Sequence, residues 1–104
     1  MKFTSNNDLA IAVENLEKSI NFYEGTLGFK PSKTEPGLRV YKTGALTLYV
    51  MEGEARPPVP SFTVENLSHA KKYLLENGCT VIVERERSLY FKDPDDNLWD
   101  VIEG

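Results

Sequence analysis

The chain has 104 residues, of which 40% are hydrophobic and 27% charged, and its formal net charge is -4 at pH 7. This length and composition are typical of one globular domain and exclude a disordered chain, and the acidic balance argues against non-specific nucleic-acid binding. No apolar stretch approaches the ~20 residues of a membrane span, no signal peptide is visible, and the single cysteine cannot form an internal disulfide. We therefore expect a cytoplasmic protein with neither a nucleic-acid nor a membrane partner.

The first half of the chain predicts one strand, one helix and three more strands. Alternation over residues 8–13 predicts a strand, and Asn15 is a good N-cap for a helix over 16–27 that ends at Gly28. The apolar stripe of this helix consists of Leu16, Ile20, Tyr23 and Leu27. Three strands follow at about 30–34, 38–42 and 45–51, and the last of them alternates with Leu46, Leu48 and Val50 on one face.

The second half repeats this order. Residues 55–58, which include Arg56-Pro57-Pro58, are interpreted as a linker between a first module of about 1–54 and a second of about 59–104. A strand over 60–64 leads into a helix of about 67–77, and strands follow at about 80–86, 88–92 and 97–103. We expect an α+β fold in which two tandem βαβββ modules form one domain with a curled mixed sheet, a half-barrel with the helices on its outer face.

An internal sequence repeat supports the two-module division. Val13-Glu14-Asn15-Leu16 recurs as Val64-Glu65-Asn66-Leu67, 51 positions later. In both copies an apolar alternating run precedes the four residues and a helical pattern ending near a glycine follows them. The shared context favours a duplicated module over coincidence.

Two motifs resemble a known family. The segment Val13–Ser19, followed by Phe22-Tyr23 and Leu27-Gly28-Phe29, resembles the first module of the vicinal oxygen chelate superfamily, which includes glyoxalase I, bleomycin-resistance proteins and extradiol dioxygenases. The ending Tyr90-Phe91-Lys92-Asp93-Pro94-Asp95-Asp96-Asn97-Leu98-Trp99-Asp100 is similar to its closing signature, an aromatic strand, a DPxGN turn and an acidic strand. The resemblance covers nearly the whole chain and implies a homodimer that binds a small molecule.

The resemblance also implies where a divalent metal would bind in the family's enzymes. By position, the ligands would fall at Asp8, at Thr47 or Tyr49, at or beside Val59, and at Asp100. Only Asp8 and Asp100 are carboxylates, whereas a catalytic metal needs about three protein ligands. We expect no cofactor, although two aspartates and waters could still hold a hard cation such as Mg²⁺.

Strand alternation predicts which side chains face the cleft. The residues opposite the apolar helix-facing positions include Thr47, Tyr49, Met51, Ser61 and Thr63, and Tyr90 has a weaker claim. This mixture suits an amphipathic small molecule, although the same positions could fill an interior or a dimer seam. His69 is expected on the surface of the second helix, Cys79 in a structural role and Trp99 in the core.

These observations leave three functions open. The missing ligands favour a non-catalytic protein that sequesters a small molecule, and the acidic charge favours a cationic guest. The alternative is a metal-dependent lyase, isomerase or transferase of the glyoxalase type, which uses Asp8 and Asp100. The third is an accessory module without a ligand.

Overall fold

The computed structural model describes residues 1–104. The strands are β1 (Thr4–Val13), β2 (Pro31–Glu35), β3 (Leu38–Lys42), β4 (Thr47–Glu52), β5 (Arg56–Val64), β6 (Thr80–Glu84), β7 (Ser88–Lys92) and β8 (Leu98–Glu103). Helix α1 (Leu16–Ile20) continues as a π-helix over Asn21–Thr26, and α2 spans Leu67–Glu76. Neither helix combines the length and apolarity that crossing a bilayer requires. The α+β class and the βαβββ order of both halves are confirmed.

The chain divides into two compact units. Residues 7–58 form the N-terminal unit, and residues 59–104 together with 1–6 form the C-terminal unit. The strand order is β2-β3-β4-β1 in the first and β5-β8-β7-β6 in the second. In each unit the first strand pairs in parallel with the last, β1 with β4 and β5 with β8, and the other pairs are antiparallel.

The core of the N-terminal unit lies between α1 and one face of the sheet. Leu16, Leu48 and Val50 are buried there together with Tyr41, whose side chain is fully enclosed. The Tyr41 hydroxyl donates a 2.8 Å hydrogen bond to Glu24 Oε2. Burial, reinforced by this bond, raises the pKa of Tyr41 to about 12, so the phenol stays protonated at neutral pH.

The core of the C-terminal unit repeats this arrangement beneath α2. Its buried members are Val64, Leu67, Ala70, Leu74, Leu89, Phe91 and Val101. Trp99 packs against this cluster, as expected, with its ring stacked on Phe62 at 5.2 Å. Its indole N–H donates to Asp93 Oδ2 at 3.1 Å, which satisfies the polar edge of the half-buried ring.

The same capping arrangement begins both helices. The side chain of Asn15 accepts a hydrogen bond from Lys18 N, and that of Asn66 accepts one from His69 N. A glutamate at the end of the last strand of each module accepts a hydrogen bond from the first backbone amide of that module's helix. Glu52 Oε2 accepts from Leu16 N at 3.1 Å, and Glu103 Oε2 accepts from Leu67 N at 2.8 Å. These pairs are 51 residues apart, so the repeat extends to the capping residues.

The helix predicted over 16–27 differs from the structure. It is α-helical only over Leu16–Ile20 and π-helical over Asn21–Thr26, and Leu27, predicted in the buried stripe, is 46% exposed. The repeat explains this, since the N-caps Asn15 and Asn66 are 51 residues apart whereas the helix-ending Gly28 and Gly78 are 50 apart. The first module thus has one extra residue, and the wider i→i+5 turn of a π-helix accommodates it.

Three further boundaries needed correction. Strand β1 starts at Thr4, not at residue 8. Arg56–Pro58, interpreted as part of a linker, are the first residues of β5, which is compatible with proline because the pairing of β5 with β8 begins only at Ser61. Leu46 lies outside β4 and is 44% exposed, so it does not continue the face of Leu48.

The turn between β7 and β8 is organised by one aspartate. Asp93 Oδ1 accepts from the backbone amides of Asp95 and Asn97, each at 2.9 Å. Hydrogen bonds hold the pKa of Asp93 below its usual value. The bond from Asn97 N contributes most, and the bond from the Trp99 indole contributes next. Asp96 adopts a left-handed conformation, φ 66°, at the position where the DPxGN pattern has glycine.

Candidate functional site

The candidate site residues lie on the sheet faces that the helices leave uncovered. Residues directly opposite each other in paired strands point to the same face. Since Leu48 and Val50 face the core of the N-terminal unit, Thr47, Tyr49 and Met51 point to its helix-free face. The three side chains are half-buried.

In the N-terminal unit these residues form three rows across the strands. Asp8 is in register with Thr47, and Thr47 with Lys42. The next row is Ala10, Tyr49, Val40 and Lys33. The third is Ala12, Met51, Leu38 and Glu35.

The titratable groups of this face influence one another. Burial raises the pKa of Asp8 above its usual value. Burial also raises the pKa of Tyr49, the negative charge of Asp8 raises it further, and the positive charge of Lys33 opposes both. The phenol of Tyr49 therefore remains a hydrogen-bond donor between a carboxyl group and an ammonium group.

In the C-terminal unit, Ser61, Asp100 and Tyr90 form a single row across β5, β8 and β7. The Ser61 hydroxyl is buried and donates a 2.9 Å bond to Asp100 Oδ2. The carboxamide of Asn6 donates to Ser61 Oγ at 2.9 Å and to Thr63 Oγ1 at 3.2 Å. Four of these side chains thus form one hydrogen-bonded network that ends on the Asp100 carboxylate.

Tyr90 is the aromatic member of this row. It is half-buried and lies on the face opposite Leu89 and Phe91, which belong to the core. The guanidinium of Arg85 lies 5.0 Å from the centre of its ring, within the range of a cation–π contact. Tyr90, for which the expectation of a cleft position was weaker, thus lies on the helix-free face.

Sequence reasoning missed Asn6, Lys33, Lys42 and Arg85. Asn6 was missed because β1 was predicted to begin at residue 8. The two lysines occupy the same face as Tyr49, and continuing the alternation of β4 onto β3 and β2 would have found Lys42. Lys33 was harder to find, since a register shift between Pro31 and Lys33 interrupts the alternation of β2.

The residues at the expected metal positions do not fit a catalytic metal. Val59 is fully buried and has no side-chain donor atom, and Thr47 and Tyr49 offer only hydroxyl oxygens. No group of three or more His, Cys, Asp or Glu side chains is arranged to hold a metal ion.

Two other singled-out residues lie away from these rows. His69 is exposed on α2 and lines an open cavity of about 600 Å³ in the C-terminal unit, beside Asn66 and Gly104. Cys79 is half-buried and packs against the core, and burial, with the charge of Asp93, raises the pKa of its thiol. A thiol in its protonated form is a poor nucleophile, which agrees with a structural role.

Comparisons with known proteins identify the relatives of this fold. A family model described as Glyoxalase/Bleomycin resistance protein/Dioxygenase superfamily matches residues 6–101. The structure is similar to homoprotocatechuate 2,3-dioxygenase from Brevibacterium fuscum in complex with 3,4-dihydroxyphenylacetate, with 19% identity, a TM-score of 0.77, and coverage of 98% of this chain and 37% of that one. The chain therefore spans little more than a third of the dioxygenase.

Two solved structures match over nearly their whole length. One is a hypothetical protein from Bacillus halodurans C-125, with 18% identity, a TM-score of 0.70 and coverage of 100% of this chain and 96% of that one. The other, from Vibrio splendidus 12B01, is a glyoxalase/bleomycin resistance protein/dioxygenase superfamily member with 12% identity, a TM-score of 0.72 and coverage of 99% and 100%. At these identities the likeness concerns the fold.

Proposed function

The chain belongs to the glyoxalase/bleomycin resistance protein/dioxygenase superfamily, and we propose that it is a small-molecule binding protein that sequesters its ligand without catalysing a reaction. The observation that carries this proposal is Val59, an apolar and fully buried residue at a position where the resemblance places a metal ligand. With no donor at residue 59 and only a neutral hydroxyl at Thr47 or Tyr49, the chain keeps two carboxylates, fewer than the about three protein ligands that a catalytic metal needs.

The residues proposed to contact the ligand combine apolar surface with polar groups. They are Thr47, Tyr49 and Met51 in the N-terminal unit and Ser61, Thr63 and Tyr90 in the C-terminal unit. Tyrosine and methionine give adaptable apolar contact, and the Asp100 carboxylate attracts a cation or a hydrogen-bond donor. This mixture is typical of sites for small amphipathic molecules.

The second candidate function is a divalent-metal-dependent lyase, isomerase or transferase. Asp8 and Asp100 favour it, since both expected first- and last-strand positions carry a carboxylate. A hard cation such as Mg²⁺ can be held by one or two carboxylates and several waters. A metal bound there would polarise a pair of chelated substrate oxygens.

One experiment separates the two functions. The untagged protein is subjected to elemental analysis and then to thermal unfolding with a library of aromatic and cationic small molecules, in the presence and absence of EDTA. A ligand at a hundredfold excess over its Kd stabilises the folded state by about 2.7 kcal/mol. We expect ligand-dependent stabilisation that persists in EDTA, with one ligand molecule bound per binding site. The ligand should be recovered unchanged after prolonged incubation.

The control variants make the result specific. Asp100→Asn removes the carboxylate proposed to attract the ligand, whereas Asp95→Asn changes an exposed aspartate of the β7–β8 turn. Binding that weakens only in Asp100→Asn supports the proposal. Stoichiometric metal that is lost in Asp100→Asn, together with ligand turnover, would establish the enzyme instead, and a library without any stabilising compound would count against a binding role.

We also propose that the protein is a cytoplasmic homodimer. The dimer is proposed from the resemblance to the family, and the cytoplasmic location from the single cysteine, which cannot form an internal disulfide. Sedimentation equilibrium of the untagged chain over a range of concentrations measures the mass directly, and a mass of 11.8 kDa throughout would contradict it.

A further inference from the structure

The helix-free face of the N-terminal unit carries a lysine that no expectation included. Lys33 is in register with Val40, and Val40 with Tyr49, so the three side chains point to the same face. Neighbouring strands lie about 4.8 Å apart, which places the Cα atoms of Lys33 and Tyr49 roughly 10 Å from each other. Both side chains are long enough to approach the same small ligand, and Val40 between them is buried.

The equivalent row of the C-terminal unit has the opposite charge. By the repeat, Lys33, Val40, Tyr49 and Ala10 correspond to Val83, Tyr90, Asp100 and Ser61. The N-terminal row thus has a cation and a phenol where the C-terminal row has an apolar residue and a carboxylate. The two rows differ in the chemistry they offer a ligand.

The groups around Lys33 bear on what it can bind. Its ammonium lies 3.3 Å from Glu35 Oε1, and both side chains are at least half exposed, so this pair is weak and open to exchange. Asp8 and Lys42 also point to this face, in the neighbouring row, so that row carries one carboxyl group and one further ammonium group. Tyr49 supplies a neutral hydroxyl donor beside the ammonium.

Resting on the proposed binding function, we propose that Lys33 and the Tyr49 hydroxyl form a subsite for an acidic group, and that the protein prefers small carboxylic acids over their neutral analogues. An ammonium and a hydroxyl that approach the same oxygen give charge-assisted hydrogen bonds, which are shorter and stronger than neutral ones.

The test uses pairs of probes that differ only in charge. Benzoate, 3-phenylpropionate and hexanoate are each titrated beside the corresponding amide into the full chain, and binding is followed by NMR and calorimetry. We expect the best acid to bind roughly tenfold more tightly than its amide, with a preference that decreases as salt is added because Lys33 is exposed.

Four variants assign the preference. Lys33→Gln should abolish it, Glu35→Gln should increase it by removing the competing carboxylate, and Lys30→Gln, an exposed lysine before β2, should leave it unchanged. Tyr49→Phe should reduce the affinity for acids more than that for amides, because a hydrogen bond to a charged oxygen is the stronger one.

Two results would overturn the subsite. One is equal binding of acids and amides, or binding of neither, while another compound from the library binds. The other is a preference that Lys33→Gln leaves intact. In both cases the binding function itself stands, whereas a failure of every compound, charged or neutral, would contradict the binding function as well.

Discussion

Replacing Glu103 by alanine should destabilise the protein by about 1.5 kcal/mol. The side chain is half-buried, and its Oε2 accepts a 2.8 Å bond from Leu67 N, the first amide of α2. A hydrogen bond to a charged group contributes about 1.5–3 kcal/mol, and an anion at a helix N-terminus adds about 0.3–1 kcal/mol. Partial solvent access lowers the sum, since water can replace the lost acceptor.

The arrangement also predicts how related variants rank. Glu103→Gln keeps an acceptor but loses the charge, so it should cost only about 0.5 kcal/mol. Glu52→Ala should cost less than Glu103→Ala, because Glu52 is exposed and its bond to Leu16 N is longer, 3.1 Å. Glu86→Ala, an exposed residue outside both caps, serves as the control and should change stability by less than about 0.5 kcal/mol.

Equilibrium urea unfolding, followed by circular dichroism, measures these differences. For a domain of this size, 1.5 kcal/mol corresponds to a decrease in Tm of about 6–12 °C. The reasoning is refuted if Glu103→Ala is as stable as Glu86→Ala, or if Glu103→Gln is as destabilised as Glu103→Ala. The first result would show that the cap contributes nothing, and the second that the charge carries the whole effect.

Three further predictions concern the core, a buried phenol and a turn. Leu89→Ala removes a fully buried side chain and should cost about 2–5 kcal/mol in urea unfolding, whereas Leu75→Ala, at a half-exposed position, should cost under about 0.5 kcal/mol. The pKa of Tyr41 is raised from 10.0 to about 12 in the folded protein, so the phenol of the unfolded chain ionises at a lower pH. The free energy of unfolding therefore falls as the pH rises from about 10 to 12, and Tyr41→Phe should flatten this pH dependence. Asp96→Gly relieves about 1 kcal/mol of left-handed strain, and the greater entropy of glycine in the unfolded chain offsets part of this gain. Asp96→Gly should therefore raise Tm slightly, while Asp96→Val should lower it.

Local sequence signals predicted most of the fold. The repeated Val-Glu-Asn-Leu segment and the N-caps Asn15 and Asn66 gave the module order, and the two motifs gave the family, which the match over residues 6–101 confirms. The bounds of β3 and β7 were predicted to the residue. The errors came from features without a local signal, such as the π-helix, whose extra residue shows only when both modules are compared.

The candidate site was harder to predict because it depends on pairing between strands. Alternation along β4 and β8 indicated the face of Tyr49 and Asp100, since that information lies within one strand. The bond from Asn6 to Ser61 joins residues 55 positions apart, and the place of Lys33 depends on a register shift. Neither feature can be read from the composition or the period of any single segment.

The π-helix over Asn21–Thr26 identifies where the chain can change length. A residue inserted into a strand exchanges the two faces of everything beyond it, so one added within Thr47–Glu52 would turn Leu48 out of the core and Tyr49 into it. The extra residue of the first module instead widens one helical turn, and Leu16, Tyr23 and Phe29 still pack on the same cluster. Deleting a residue such as the exposed Gly25 would give the first helix the length of the second while leaving the strand registers on either side unchanged.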